Sequence, residues 1–335
     1  MANDPIVIFG TGPVGCWTAR ALIERGLSVR AVNRSGKRPT LLPAEVELRA
    51  ADLSDDRLAT GAAAGASVVV QALNPPYQDW HTAFPPLQKA AMTASERHGA
   101  RYVSVENLYM FDATKPIRED APLAPRSKKG ELRWRMGEEV MAAHVSGRLR
   151  VTQLRSADYY GPGVTGSAWG ERVFGPLMAG KPAQLTGALD VPHAVAYIED
   201  VGRAVAELAT RDEALGRVWI APHAPARTQR EMVALAAAAA GVEPRASGMG
   251  PLMMRLGGLF IPVARETVEM LYQFTEPFVV DSGRIERELG LSATPLETGM
   301  ARTVDWYRVR GALAERYGAH PHEVIDGGTL PPTRA

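Results

Sequence analysis

Short β-branched runs alternate with longer helical patterns through the first third of the chain: Ile6–Phe9, a helical stretch over 13–25, then runs at 27–32, 45–49, 67–71 and 101–105. Alternation of this kind predicts parallel strands joined by crossover helices. In the first helical stretch Trp17, Ala19, Leu22 and Ile23 form an apolar stripe, and Gly26 stands where a helix needs a left-handed terminal residue. Residues 112–127 turn to Pro, Asp, Lys and Arg, which reads as a surface loop before a helix over 128–144 and a strand over 149–154. Beyond Gly163 the texture changes: Gly and Pro recur, a short strand at 218–220 interrupts helices, and 232–240 forms an Ala-rich helix.

Composition narrows the class. With 335 residues, 46% hydrophobic and 22% charged, the chain has room for one large domain carrying a smaller one. Its 38 Lys and Arg against 37 Asp and Glu leave +1, so there is no basic excess for nucleic acid. The most apolar stretch, 251–264, is broken by Arg255, Gly257, Gly258 and Pro262, and no membrane span is expected. The opening Met-Ala-Asn-Asp carries neither a basic nor an apolar export region, which leads to the expectation of a cytoplasmic protein. The lone Cys16 can form no internal disulfide and reads as a small buried helix residue. His320-Pro-His322-Glu323 is too local to outweigh a solvated loop, so no metal site is expected, and 329–335 reads as a tail.

The sharpest chemical signal is Gly10-Thr-Gly12-Pro13-Val14-Gly15, which follows an apolar strand and opens a helix, the context of a dinucleotide-binding fingerprint. Gly10 permits the tight turn, Gly12 lets the backbone approach a pyrophosphate, and Gly15 lets the helix lie close to the strand. The expected fold class is α/β, a Rossmann-type doubly wound parallel sheet with a smaller C-terminal α/β substrate domain. Residues 1–163, with returning segments near 190–222, are expected to form the dinucleotide-binding domain, and 164–328 mainly the substrate domain. At the end of the second strand stand Asn33, Arg34 and Ser35, with no carboxylate to accept from a ribose 2'-hydroxyl. Arg34, with Lys37 and Arg38 behind it, suits a 2'-phosphate, so NADP is expected with NAD as second choice; solvated loop cations are the alternative. Asp52 and Leu53 suit the adenine edge, and Ala72, Leu73 and Asn74 would run beside the middle of the cofactor.

Further segments carry a resemblance: Leu154-Arg155 before Tyr160-Gly-Pro-Gly163, Tyr197-Ile-Glu-Asp200-Val-Gly-Arg-Ala204, and Leu289-Gly290 leading to Thr294-Pro-Leu296 and Thr303-Val-Asp-Trp306. With the fingerprint, these resemble the extended or atypical short-chain dehydrogenase/reductases, the NAD-dependent epimerase/dehydratase group, over nearly the whole chain. The resemblance implies an active site over the carboxyl ends of the Rossmann strands, roofed by a C-terminal substrate domain. It also exposes departures. The glycine motif is one residue shorter than is usual in extended members. Matching Lys129-Gly130 to the family's Tyr-Gly puts Lys129 at the catalytic tyrosine position and Arg133 at the lysine position, while Val105 stands where a catalytic Ser or Thr is usual.

The candidate catalytic set is therefore Lys129, Arg133, Glu106, Ser104 and Tyr109. A neutral Lys129 could exchange a proton, and a charged one could polarise a carbonyl. Glu106 occupies the place where sugar dehydratases of the family carry a general-acid Asp, and Ser104 and Tyr109 are spare hydroxyl donors. Asp158, Tyr159 and Tyr160 fall near where family members hold the nicotinamide amide, with Asp158 expected to bind the cofactor and at least one of the tyrosines expected to pack the turn before Gly-Pro-Gly. The Met-rich, apolar segment Leu252-Met-Met254, Leu259-Phe-Ile261 and Met270-Leu-Tyr272-Gln-Phe274 could wall an apolar substrate pocket, form a helical core, or face a partner in a homodimer. Two functions follow: an NADP(H)-dependent oxidoreductase or redox-neutral epimerase/dehydratase acting on a small molecule, or a non-enzymatic NADP sensor of NmrA type.

Overall fold

The computed structural model describes residues 4–250, 253–254 and 268–317. A seven-stranded parallel sheet runs through it, built from β1 (Ile6–Phe9), β2 (Val29–Asn33), β3 (Glu47–Ala50), β4 (Val68–Gln71), β5 (Arg101–Asn107), β6 (Arg150–Ser156) and a late strand, Arg217–Ile220, in the order β3-β2-β1-β4-β5-β6 and then the late strand. The winding direction reverses at β1, where Ile6 pairs with Val29 of β2 on one side and Val68 of β4 on the other. Central strands of such a sheet are covered on both faces, which is why β1 is apolar at every position and wholly buried while the edge strand β3 is half exposed.

Successive residues of β1 serve opposite faces. Ile6 and Ile8 join Val70, Val103 and Leu154 against Ala19 and Leu22 of α1 (Pro13–Glu24) and Val201 and Val205 of the helix Ile198–Thr210. Val7 and Phe9 join Val69, Tyr102 and Val151 against α2 (Asp56–Ala62), α3 (Trp80–His98) and α4 (Lys128–Val145). Pro13 starts α1 at a position that needs no amide donor, and Gly26 follows its end at φ 72°. α4 starts where Ser127 accepts from the Gly130 amide at 3.0 Å.

After β6 the chain turns through β7 (Asp158–Tyr160), α5 (Glu171–Met178), β8 (Ala183–Thr186), β9 (Pro192–His193) and β10 (Val195–Tyr197), then enters the sheet-covering helix α6, Ile198–Thr210. Trp169, Phe174 and Leu177 pack with Val233 of the helix Gln229–Ala240 and with Met300 and Val304 of the last helix, Leu296–Tyr317, as a separate core. The Ala-rich helix begins three residues earlier than its apolar pattern indicates, because Thr228 and Glu231 close a capping box around its first turn. β5 runs to Asn107, beyond the apolar run, and so carries Glu106 to the carboxyl end of the sheet.

Candidate functional site

At the reversal point the loops after β1 and β4 separate and leave a crevice, the place where open α/β sheets take ligands. The three fingerprint glycines meet different constraints there. Gly10 has φ 104° and a Cβ on it would stand 2.6 Å from the Ala72 carbonyl oxygen; a Cβ on Gly15 would stand 2.0 Å from the Gly10 oxygen. A Cβ on Gly12 would meet no atom within 4 Å. Packing therefore requires Gly10 and Gly15, whereas Gly12 faces open space at the head of α1.

A cleft of about 1010 Å³ extends from this point, at the upper end of the volumes typical of small-molecule sites. Gly12, Pro13, Val14, Asn33, Ser35, Lys37, Ala72, Leu73 and Asn74 line its first half. The Asn33 carboxamide donates to Thr11 Oγ1 (2.9 Å) and the Lys37 carbonyl (2.9 Å) and accepts from the Gly36 amide (2.7 Å), so it pins the loop after β2. Arg38 is occupied by the Pro43 and Val46 carbonyls. Arg34 and Asp52 are exposed outside the lining, and hydrogen bonds from Ser54, with the Arg34 charge adding, hold Asp52 below the usual carboxylate range. Leu53 is in the core.

The second half is lined by Tyr77, Trp80, Phe84, Val105, Tyr109, Arg133, Asp158 and Tyr159, under a roof that includes Thr186, Met270, Gln273 and Phe274. Lys129 is not on its wall. Its side chain is fully enclosed, with Nζ 3.1 Å from Glu269 Oε1 and 4.5 Å from the centre of the Tyr77 ring. Glu269 also accepts from the Lys128 amide at 2.9 Å, which ties the roof to the head of α4. Glu106 reaches the cleft as a residue, yet its side chain has no exposure: Ser104 donates to it at 2.9 Å and Arg155 Nε lies 3.6 Å away. Ser104 is thereby buried beneath the floor. Arg133 stacks on Phe84 with its guanidinium 4.4 Å from the ring centre and donates to the Val105 carbonyl at 3.4 Å. Burial depresses its ionisation and the Glu106 charge opposes that.

The phenols keep their protons. Burial pushes Tyr77 and Tyr109 well above the ordinary range, with Asp158 adding to both, and pushes Tyr159 up to about 12. Tyr109 stacks on Trp80, which meets Tyr77 edge-on. Burial also raises the Cys16 thiol to about 12, and it donates to the Thr11 carbonyl. Asp158 Oδ2 lies 3.2 Å from Nε2 of the buried His193, whose Nδ1 is 3.0 Å from the Gln273 carbonyl. Sequence reading missed Tyr77, Trp80 and His193. Pro75-Pro76 ahead of two aromatics after the fourth strand was a usable signal for the first two; nothing in the spacing joins His193 to Asp158. Leu252, Leu259, Ile261 and the residues from His320 to Glu323 lie outside the described residues. Among the described residues no group of three side chains is placed to hold a metal, and no helix is long and apolar enough to cross a membrane.

No family model matches the sequence, and no curated protein does. Solved structures match the fold over nearly the whole chain. They include the epimerase Mth375 from Methanothermobacter thermautotrophicus, with 15% identity and TM-score 0.76 over 94% of this chain and 95% of that one. A nucleoside-diphosphate-sugar epimerase from Pseudomonas aeruginosa has 20% identity and TM-score 0.73 over 92% and 99%. A UDP-glucuronic acid 4-epimerase from Bacillus cereus, solved in complex with NAD, has 15% identity and TM-score 0.72 over 91% and 99%. The likeness at these identities is one of architecture: the chain has a Rossmann-type fold, and several of the solved structures that share it are nucleotide-sugar epimerases.

Proposed function

We propose that this chain binds a nicotinamide dinucleotide, NADP before NAD, and uses it on a small molecule as an oxidoreductase or a redox-neutral epimerase/dehydratase in which the usual Ser, Tyr and Lys are replaced. The observation that carries the reading is Gly12: open space in front of it, at a helix N-terminus and at the reversal point of the sheet, suits a pyrophosphate. The bound nucleotide would supply hydride transfer at its nicotinamide. The Val14 and Gly15 amides at the head of α1 would face its phosphates, Ala72 to Asn74 would back its middle, and Arg34 with Lys37 would meet a 2'-phosphate at the end of β2.

At the far end Arg133 offers guanidinium donors, Tyr77 and Tyr109 offer neutral phenol donors to a substrate oxygen, and Met270 and Phe274 shield that end from water. Lys129 and Glu106, both enclosed, would act on the cleft through their charge rather than by contact. Enclosure of these two groups is also the one observation that favours the second reading, a nucleotide sensor of NmrA type.

Calorimetric titration of NADP, NADPH and NAD into the protein and into Gly12→Val and Arg34→Ala tests the cofactor reading. NADP is expected to bind more tightly than NAD by roughly 1 kcal/mol or more, the scale of one charge-assisted contact, and Arg34→Ala to remove the difference. Equal affinities refute the preference, and normal binding in a folded Gly12→Val moves the site elsewhere. A turnover screen with carbonyl compounds and nucleotide sugars then separates enzyme from sensor; the sugars belong in it because several solved neighbours hold or act on UDP-sugars.

A further inference from the structure

Two buried histidines flank the strand end that carries Asp158, and their partners differ in kind. His223 Nε2 accepts from the Ala157 amide (3.2 Å) while Nδ1 donates to the Ala221 carbonyl (2.5 Å), a donor and an acceptor that together complement a neutral imidazole. His193 faces two acceptors, the Gln273 carbonyl at Nδ1 and Asp158 Oδ2 at Nε2. A neutral ring carries one N–H and would set a lone pair against an oxygen at the other contact. Both contacts are hydrogen bonds only when the pair holds one proton more than a neutral histidine and a carboxylate. The ring is 1% exposed and stacks with Phe274 and Phe278, with centroids 4.7 and 5.5 Å away, so it is held against both acceptors.

We propose that Asp158 and His193 form a proton-holding dyad and that Asp158 is the acid–base group of the cleft, standing in for the missing tyrosine. This rests on the reading of the cleft as a nucleotide-dependent active site. The competing groups are less suited: Lys129 and Glu106 have no side-chain exposure, and burial disfavours the phenolates of Tyr77, Tyr109 and Tyr159, so these rings donate hydrogen bonds while holding their protons. Asp158 keeps 18% of its side chain exposed and lines the cleft. The titratable groups whose ionisation its charge opposes are those same three phenols, all neutral, while His193 stacks with two phenylalanine rings.

In carbonyl reduction a bound reduced nicotinamide dinucleotide would supply the hydride for the new C–H bond, and the C=O π pair would move onto oxygen. That oxygen takes a proton from Asp158, whose O–H bond breaks. His193 is left neutral, with Nδ1–H still donating to Gln273, and Asp158 is left as a carboxylate. Alcohol oxidation by the oxidised nucleotide returns the proton to the dyad. His193 is a positioning residue that stores charge and fixes the carboxyl group.

Nitrogen-15 and carbon-13 NMR of the full chain at neutral pH tests the dyad without any nucleotide, so its outcome is independent of the cofactor reading. His193→Gln and Asp158→Asn identify the signals. Either an imidazolium beside an ionised Asp158 or a neutral ring beside a protonated carboxyl is expected; a neutral ring beside an ionised carboxylate overturns the proposal. Asp158→Asn is expected to leave His193 neutral, and an imidazolium that persists there also overturns it. With a substrate in hand, Asp158→Asn should lower kcat by about a hundredfold, Asp158→Glu should restore part of the loss, and His193→Gln should shift the pH profile. Wild-type turnover and pH profile in Asp158→Asn remove Asp158 as the acid.

Discussion

Gly12 and Gly15 sit three positions apart in one motif and answer to different neighbours. At Gly15 an added Cβ runs into the Gly10 carbonyl oxygen, so Gly15→Ala is expected to lower unfolding stability by roughly 3 kcal/mol, the range for overpacking against atoms that cannot move aside. At Gly12 the space is open, so Gly12→Val should melt within a degree or two of the wild type and lose nucleotide. Thermal melts followed by circular dichroism, run with and without NADP, separate the two; a Gly12→Val that unfolds early would make that glycine structural as well. The sequence showed where these glycines stand but not which neighbour each one answers to. The same limit applied to Lys129 and Glu106: family alignment put them at the chemical end, and only the contacts with Glu269 and Arg155 reveal that both side chains are enclosed.

Elements built from local patterns were readable: β1, α1 and α4 announce themselves through continuous apolar runs, a proline at the first helical position and a serine cap. The roof was not, because it is assembled from contacts distant in sequence. Arg126 reaches Glu276 with two bonds of 2.6 and 2.8 Å and lies 4.5 Å from the centre of the Tyr272 ring, and Glu269 grips the head of α4. No periodicity encodes a pairing across such separations. The clasp is partly exposed, and pairs of this kind contribute about 1 kcal/mol or less, so Arg126→Ala should leave global stability almost unchanged. It should nevertheless speed amide exchange in 270–276, since that segment loses its anchor to the loop before α4. Unchanged protection there in hydrogen-exchange mass spectrometry would show that Glu269 alone holds the roof.

At the scale of the whole molecule, one buried histidine ties global stability to pH. His223 holds the Ala157 amide at the joint between β6 and β7 and the Ala221 carbonyl beyond the late strand, so protonating Nε2 destroys an acceptor inside the fold. Burial lowers its pKa from 6.5 to about 4, with the Ala221 bond opposing. The unfolded chain therefore takes up this proton first as the solution is acidified. The contribution is fully present above about pH 6.5 and is lost progressively as the pH falls toward about 4, by roughly 3 kcal/mol in all. Burial raises Asp200 and Glu119, which adds stability as the pH falls and so works in the opposite sense. The clean measurement is therefore a difference: urea midpoints of the wild type and His223→Gln across that range. The variant starts less stable, having lost the ring, but its curve should be flatter by the His223 share, so that the two curves converge in acid. Parallel curves would mean that His223 carries its proton equally in both states and that the joint between β6 and β7 is held by something else.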